Sequence, residues 1–367
     1  MWSRIAPGAL VAVAACGRIG FEARTVDGDG SVIGDGTTGT GDGTGGNTDG
    51  PPSTDANFMF VTSTQQAPAA FGGLAGGDAV CQARASAAGL PGTYVAYLST
   101  STVNARDRIA SARGWIRTDG NAFADDVASL FSGVVFYPPA VDENGVLIGA
   151  TAVVATGSNA SGNLGDANCG NWTVASGTRV GRPYSGATTW TNFIVSGCAA
   201  SHLYCFGTDR TTPVAPPAPA GRRAFVAPGF TPAGGLAGAD AHCASAASAA
   251  GQSGTFRALL ATAAATAASR FTVGAWYRLD GVRFTQNLVA LDAPLRVTAA
   301  RSYVTTSVWT GAADPFTVGT SATTCGTWTA TGGNGITGES SYAAATSFES
   351  GNQQACSLAL ALYCLEP

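Results

Sequence analysis

Twenty-seven residues, Gly72–Leu98 (GGLAGGDAVCQARASAAGLPGTYVAYL), return 162 positions later at Gly234–Leu260 as GGLAGADAHCASAASAAGQSGTFRALL. A chain of 367 residues with that period reads as a tandem duplication of one folding unit. Each copy carries an aspartate, Asp78 or Asp240, where a carboxylate suits a helix N-cap because it can accept free backbone N–H groups. An alanine-rich run with one cysteine follows. Gly89 or Gly251 then stands where a helix ends in a left-handed residue. Thr93–Leu98 and Thr255–Leu260 read as the next strands.

Composition limits what such a chain can do. Charged residues make up 11% and glycines number 50, against about 25% charged in an ordinary soluble protein. Solubility therefore rests mainly on Ser, Thr and Asn, and much of the chain is loop and turn. Every one of the 19 cations is arginine. The net charge of −4 is concentrated in residues 16–57, which carry two arginines and seven acids. Residues 58–207 hold seven arginines and eight acids, and 223–367 seven of each. Neither unit has the basic face that a nucleic-acid partner demands.

Residues 1–16, MWSRIAPGALVAVAAC, place one arginine before an apolar run and small residues just before a cysteine. This resembles a bacterial lipoprotein signal, with 1–15 removed and Cys16 lipidated; the run is too short to span a bilayer. The alternative is an ordinary secretory signal with Cys16 incidental. Nine cysteines leave one over after pairing, and Cys16 is the one outside the repeats. Residues 16–57, rich in Gly, Asp and Thr, are too polar to fold and form a flexible tether of roughly 35 Å. Asp27-Gly28-Asp29-Gly30 resembles a calcium loop, but Val32 stands where the loop glycine belongs.

A domain at 58–207 begins with the strand Phe58–Ser63, and a second short helix is expected over Asn104–Ala112. Trp115-Ile116-Arg117-Thr118-Asp119 recurs as Trp276-Tyr277-Arg278-Leu279-Asp280, each reading as a strand closed by an Asp-Gly turn. These residues read as structural, with the tryptophan in the core and the Arg–Asp pair on the other face. Residues 208–222 are a proline-rich linker, and 223–367 form the second domain.

Four cysteines fall in each unit: Cys81, Cys169, Cys198 and Cys205, then Cys243, Cys325, Cys356 and Cys364. With an export signal they read as two disulfides per unit, with three pairings open in each. Their spacing is wrong for zinc. Gly-x-Asp-x2-Cys, the Ala-x-Gly-Leu-x-Gly-Thr-Tyr-x-Ala-Tyr-Leu-Ser stretch, Leu130-Phe131-Ser132-Gly133, Ser307–Gly311, Cys325-x-x-Trp328 and the closing Tyr363-Cys364-Leu365-Glu366 resemble endostatin. Endostatin has a C-type lectin-like fold, and bacterial lipoprotein families of unknown function are similar. The resemblance implies an α+β fold, two short helices on an antiparallel sheet with long loops in each domain. It also implies the pairings Cys81–Cys205, Cys169–Cys198, Cys243–Cys364 and Cys325–Cys356. Endostatin's zinc histidines and arginine-rich heparin face have no counterpart here. The Glu-Pro-Asn, Gln-Pro-Asp and Trp-Asn-Asp motifs of calcium-dependent lectins are absent, Trp190-Thr191-Asn192 coming nearest.

The only histidines, His202 and His242, are not shared between the copies and read as structural or exposed. No G-x-S-x-G elbow is present. Asp142-Glu143-Asn144-Gly145 reads as a hairpin turn rather than a cation site. Arg106, Arg108, Arg113 and Arg117 form either an anion patch or a solvated, partly paired surface, the second favoured by Asp107 and Asp119. Tyr137, Tyr184, Trp190 and Phe193 lie in the loop-rich half and are the expected contact residues for a ligand. The expectation is a non-enzymatic, lipid-anchored protein outside the cell that binds a glycan or matrix-type protein and needs no metal or cofactor. An envelope enzyme with paired carboxylates, or a purely structural spacer, is the alternative.

Overall fold

The computed structural model describes residues 55–367, so the signal, Cys16 and the tether up to residue 54 lie outside the described residues. Sixteen strands form two sheets of eight. The first contains β1 (Asn57–Val61), β2 (Tyr94–Ala96), β3 (Trp115–Arg117), β4 (Ala122–Ala124), β5 (Val154–Ala155), β6 (Thr178–Gly181), β7 (Ile194–Ser196) and β8 (His202–Gly207). Their order is β4-β3-β1-β8-β5-β6-β7, with β2 also paired to β8. The second contains β9 (Arg222–Phe230), β10 (Arg257–Ala258), β11 (Trp276–Arg278), β12 (Arg283–Thr285), β13 (Ser307–Trp309), β14 (Asn334–Glu339), β15 (Gln353–Ala355) and β16 (Leu360–Leu365). Its order is β12-β11-β9-β16-β13-β14-β15, with β10 on β16. Strand for strand the two orders are the same, so the sequence repeat is a repeat of topology.

The class is α+β, but the sheets are mixed rather than antiparallel. β1 runs parallel to β3 and β5 to β8, as do β9 to β11 and β13 to β16. Parallel neighbours need a long crossover, and the helix of each repeat lies in the one from β1 to β3 or from β9 to β11. Only one long helix forms per repeat, Leu74–Ala87 and Gly235–Ala249. The expected second helix contracts to Ala105–Arg108, and its counterpart to the 3-10 turn Ala268–Arg270.

Asp78 is not an N-cap. The helix already starts at Leu74, capped by Gly73, and Asp78 sits within it. Its carboxylate accepts the Ala96 N–H at 2.9 Å and both of its oxygens accept from Arg108. Asp240 likewise accepts from Ala258 N–H and Arg270. In each repeat an acid therefore ties the helix to the next strand and to the following arginine. Gly89 and Gly251 end the helices in the left-handed region, at φ 69° and 68°.

Strand alternation sorts the core into two layers. On β1, Phe58 and Phe60 face the helix with Cys81, Ala85 and Cys205, while Met59 and Val61 face Tyr97, Trp115, Trp190 and Phe206. On β9, Phe225 and Ala227 join Cys243, Trp328 and Cys364, while Ala224 and Val226 join Trp276, Phe284 and Tyr363. Four disulfides lie in the helix-side layers: Cys81–Cys205, Cys169–Cys198, Cys243–Cys364 and Cys325–Cys356. This is the nested pairing of the resemblance.

Cys169-Gly170-Asn171-Trp172 and Cys325-Gly326-Thr327-Trp328 each form one left-handed turn, with every φ between 48° and 70°. Non-glycine residues resist this by roughly 1–2 kcal/mol each. The turns are held from both ends. The cysteine is bridged, and the Trp172 and Trp328 indole N–H groups donate to Ser99 and Ala261 carbonyls at 2.9 and 2.8 Å. The linker is docked rather than free: the Arg210 carbonyl accepts from Asn57 and from Arg113 N–H, and Val214 N–H donates to Asp125.

The outer bridge Cys81–Cys205 spans 124 positions and the inner bridge Cys169–Cys198 spans 29. Replacing the outer pair with alanines is expected to cost about 5 kcal/mol and the inner pair about 3.5 kcal/mol from loop-closure entropy alone, read by denaturant titration. Gly181 and Gly338 supply a matched pair of core tests. A Cβ would lie 1.7 Å from the Trp190 carbonyl oxygen in one case and 1.8 Å from that of Ser347 in the other. Gly181→Ala and Gly338→Ala should each destabilise by at least about 1–3 kcal/mol, with similar shifts in the unfolding midpoint.

Candidate functional site

Residues 55–367 belong to one compact unit, and the two repeats meet along a seam. Ser185 and Tyr342 form an antiparallel bridge. Gly186 N–H donates to the Ser341 carbonyl at 2.8 Å, and Ala343 N–H to the Tyr184 carbonyl at 2.9 Å. Gly181 and Gly338 occupy equivalent places, each opposite the valine of the neighbouring strand, Val154 or Val308. Counting on from them, Ser185 and Tyr342 are also equivalent. Like positions thus face each other across the seam, as in an isologous dimer interface.

Arginines lock the rest of it. Arg278, fully buried, pairs with Asp280 and donates to the carbonyls of Phe136 and Pro294 at 3.1 Å. Arg296 donates to the Gly133 carbonyl at 2.7 Å, and Arg283 N–H to the Tyr137 hydroxyl at 2.9 Å. The Arg278 and Arg296 guanidiniums lie over the Tyr303 ring, 5.3 and 5.4 Å from its centre. Tyr137, Val282 and Ala293 form a small apolar core between the repeats, with Phe136 against it. Burial, then repulsion from Arg278, brings Arg296 down to about 10; it stays charged at neutral pH. Burial opposes the Asp280 carboxylate, but Arg278 outweighs it and holds this carboxyl below the ordinary aspartate range.

Three clefts open around this framework. One of about 460 Å³ lies between the linker and the first sheet, lined by Ile116, Asn121, Tyr137, Val214 and Pro217. A second, about 380 Å³, is apolar and crosses the seam from Leu147 and Tyr184 to Val289, Leu291, Pro315 and Phe348. Leu147 and Val289 are 61% and 73% exposed on its rim. The third, about 330 Å³, also crosses the seam and is polar, lined by Arg182 and Phe193 from one repeat and Glu339, Tyr342, Ser350 and Asn352 from the other.

The four expected contact residues separate. Tyr137, Tyr184 and Phe193 each line a different cleft. Trp190 does not: its exposure is 0%, and it packs among Tyr97, Phe123, Tyr204 and Phe206. Its place in a loop-rich stretch is overridden by that aromatic core. Arg106, Arg108, Arg113 and Arg117 do not converge on an anion site. Three are paired, with Asp78, Asp125 and Asp119, and Arg106 covers the Phe131 ring. Arg117 and Arg278 are themselves buried, so the recurring Arg–Asp pairs are structural.

Asp142 closes the expected turn, its side chain accepting from Asn144 and Val146 N–H. Glu143 is buried and accepts from Ser63. His202 is buried against the Thr62 carbonyl, and His242 contacts the Pro228 carbonyl. Among the described residues no group of three His, Cys, Asp or Glu side chains could hold a metal. Arg182, Glu339 and Tyr342 escaped the sequence reading. Aligning the repeats on Gly181 and Gly338, not on the opening helix, brings Arg182 and Glu339 into register. No protein-family model matches the chain, and no curated protein matches it.

Asp119 and Asp280 both have carboxyls held below the usual range, against the pull of burial, by Arg117 and Arg278. A depressed aspartate contributes stability that is present above the unfolded value of about 3.9 and lost as pH falls through the folded one. Unfolding free energy should therefore be level from about pH 7 to 5 and drop below about pH 4. Asp280→Asn should flatten that acid slope, measured by urea titrations across the range.

Proposed function

We propose that the chain is an exported, lipid-anchored recognition protein. Two endostatin-like, C-type lectin-like domains present a non-catalytic surface to an extracellular glycan or matrix-type protein. The observation that carries this reading is the seam, where two clefts combine aromatic rings and hydroxyls from both repeats with the Asn352 amide. Concave surfaces of this size, with few and convergent polar groups, are typical of ligand sites. Four disulfides support a location outside the reducing cytosol. Glycan hydrolysis needs two carboxyls facing each other at about 5–10 Å. The two seam clefts hold one each, Asp314 and Glu339, which supports binding over hydrolysis. A structural spacer would have no use for such clefts.

The test is a glycan and protein array probed with the full chain carrying Cys16→Ser, which keeps it in solution. Retention of one ligand class is expected, weakened by Tyr184→Ala at the apolar cleft. Retention no greater than that of the reduced, heat-unfolded chain would remove the reading.

A further inference from the structure

We infer that the polar seam cleft is a subsite for a carboxylate-bearing sugar, a uronate unit of an acidic glycan. This rests on the glycan-recognition reading and gives it a chemical class. The starting point is Arg182. Its Nε is buried and has no hydrogen-bond partner, in a protein where Arg108, Arg117, Arg179, Arg270 and Arg278 are each matched to a carboxylate. The guanidinium is nevertheless held in place, 4.3 Å over the Phe193 ring. With Nε shielded, a ligand in the cleft that Arg182 lines can reach only the outer edge of the guanidinium, and a carboxylate matches that planar fork bidentately through the two Nη groups.

The opposite wall decides which acid. Glu339, the equivalent of Arg182 in the second repeat, lines the same cleft but forms no ion pair with it. One Glu339 oxygen accepts from Ser307 at 2.7 Å, and the carboxylate retains further acceptor capacity. A doubly charged phosphate or a cluster of sulfates would be repelled there. A single carboxylate is repelled less, and hydroxyls beside it can donate to Glu339 and offset part of that repulsion. Tyr342, Thr346, Ser350 and Asn352 complete the lining with hydroxyl and amide groups suited to a polyol. About 330 Å³ is at the small end of ligand sites, in keeping with one end unit rather than a long chain.

The experiment is calorimetric titration of the full chain carrying Cys16→Ser with galacturonate and trigalacturonate, with galactose and glutamate as comparators. Galacturonate should bind at least about tenfold more tightly than galactose, the advantage vanishing in Arg182→Ala. Arg182→Lys, which keeps the charge and loses the fork, should fall between. Glu339→Gln should tighten uronate binding, a gain that misfolding cannot imitate. Equal binding of galactose and galacturonate, preference for glutamate, weakening by Glu339→Gln, or unchanged binding in a folded Arg182→Ala would each overturn the assignment. If Arg182→Ala still retains its glycans on the array, the subsite falls and glycan recognition stands. If neither the array nor the titration shows binding, both fall.

Discussion

An alanine-rich helix offers a sheet little apolar area per residue, and here that helix is the only long one in each repeat. What fixes it is sulfur. Cys81 reaches Cys205 on β8, and Cys243 reaches Cys364 on β16, the strands at the centre of each sheet. The carboxylates of Asp78 and Asp240 add a second tie, to the strand beside the helix. With the helix pinned, close approach becomes possible: at Gly77 a Cβ would come within 2.8 Å of Leu98. Loop-rich segments then lose less entropy on folding, because the bridges have already narrowed the unfolded ensemble.

The same covalent frame explains the left-handed turns. Four successive residues in that region would not persist in a free loop. Cys169 and Trp172, or Cys325 and Trp328, anchor both ends, and the indole of each reaches over to the strand-end loop after β2 or β10. The inner bridge thus shapes the backbone at the base of the loop-rich half, from which β6 and β14 run to the seam.

Much of the fold was legible because repetition doubles every local signal. The helix with its glycine stop and the Trp-containing strands recur in register. The sheet's mixed character was not legible, since period-two alternation is the same in parallel and antiparallel strands. Asp78 and Asp240 misled for a related reason: an aspartate near a helix start looks like a cap whether it faces its own backbone or a neighbouring strand. The candidate site was less legible still. Trp190 looks like a loop aromatic, yet its ring is enclosed by rings from β8 and from residues distant in sequence. Arg182 and Glu339 carry no motif, and only the meeting of two repeats places them in one cleft.

Bridging Ser185 to Tyr342 sets like position against like, as two separate copies of one polypeptide would do. Identical subunits, however, must put the same residue on both sides of such an axis, so a cation there always confronts a cation. Joining the halves in one chain lifts that restriction. Arginine can occupy one side and glutamate the other, and neither composition can be reached by a symmetric pair. Fusion in tandem has in this sense turned a self-complementary contact into a polar recess with a direction, cationic on the Arg182 wall and anionic on the Glu339 wall.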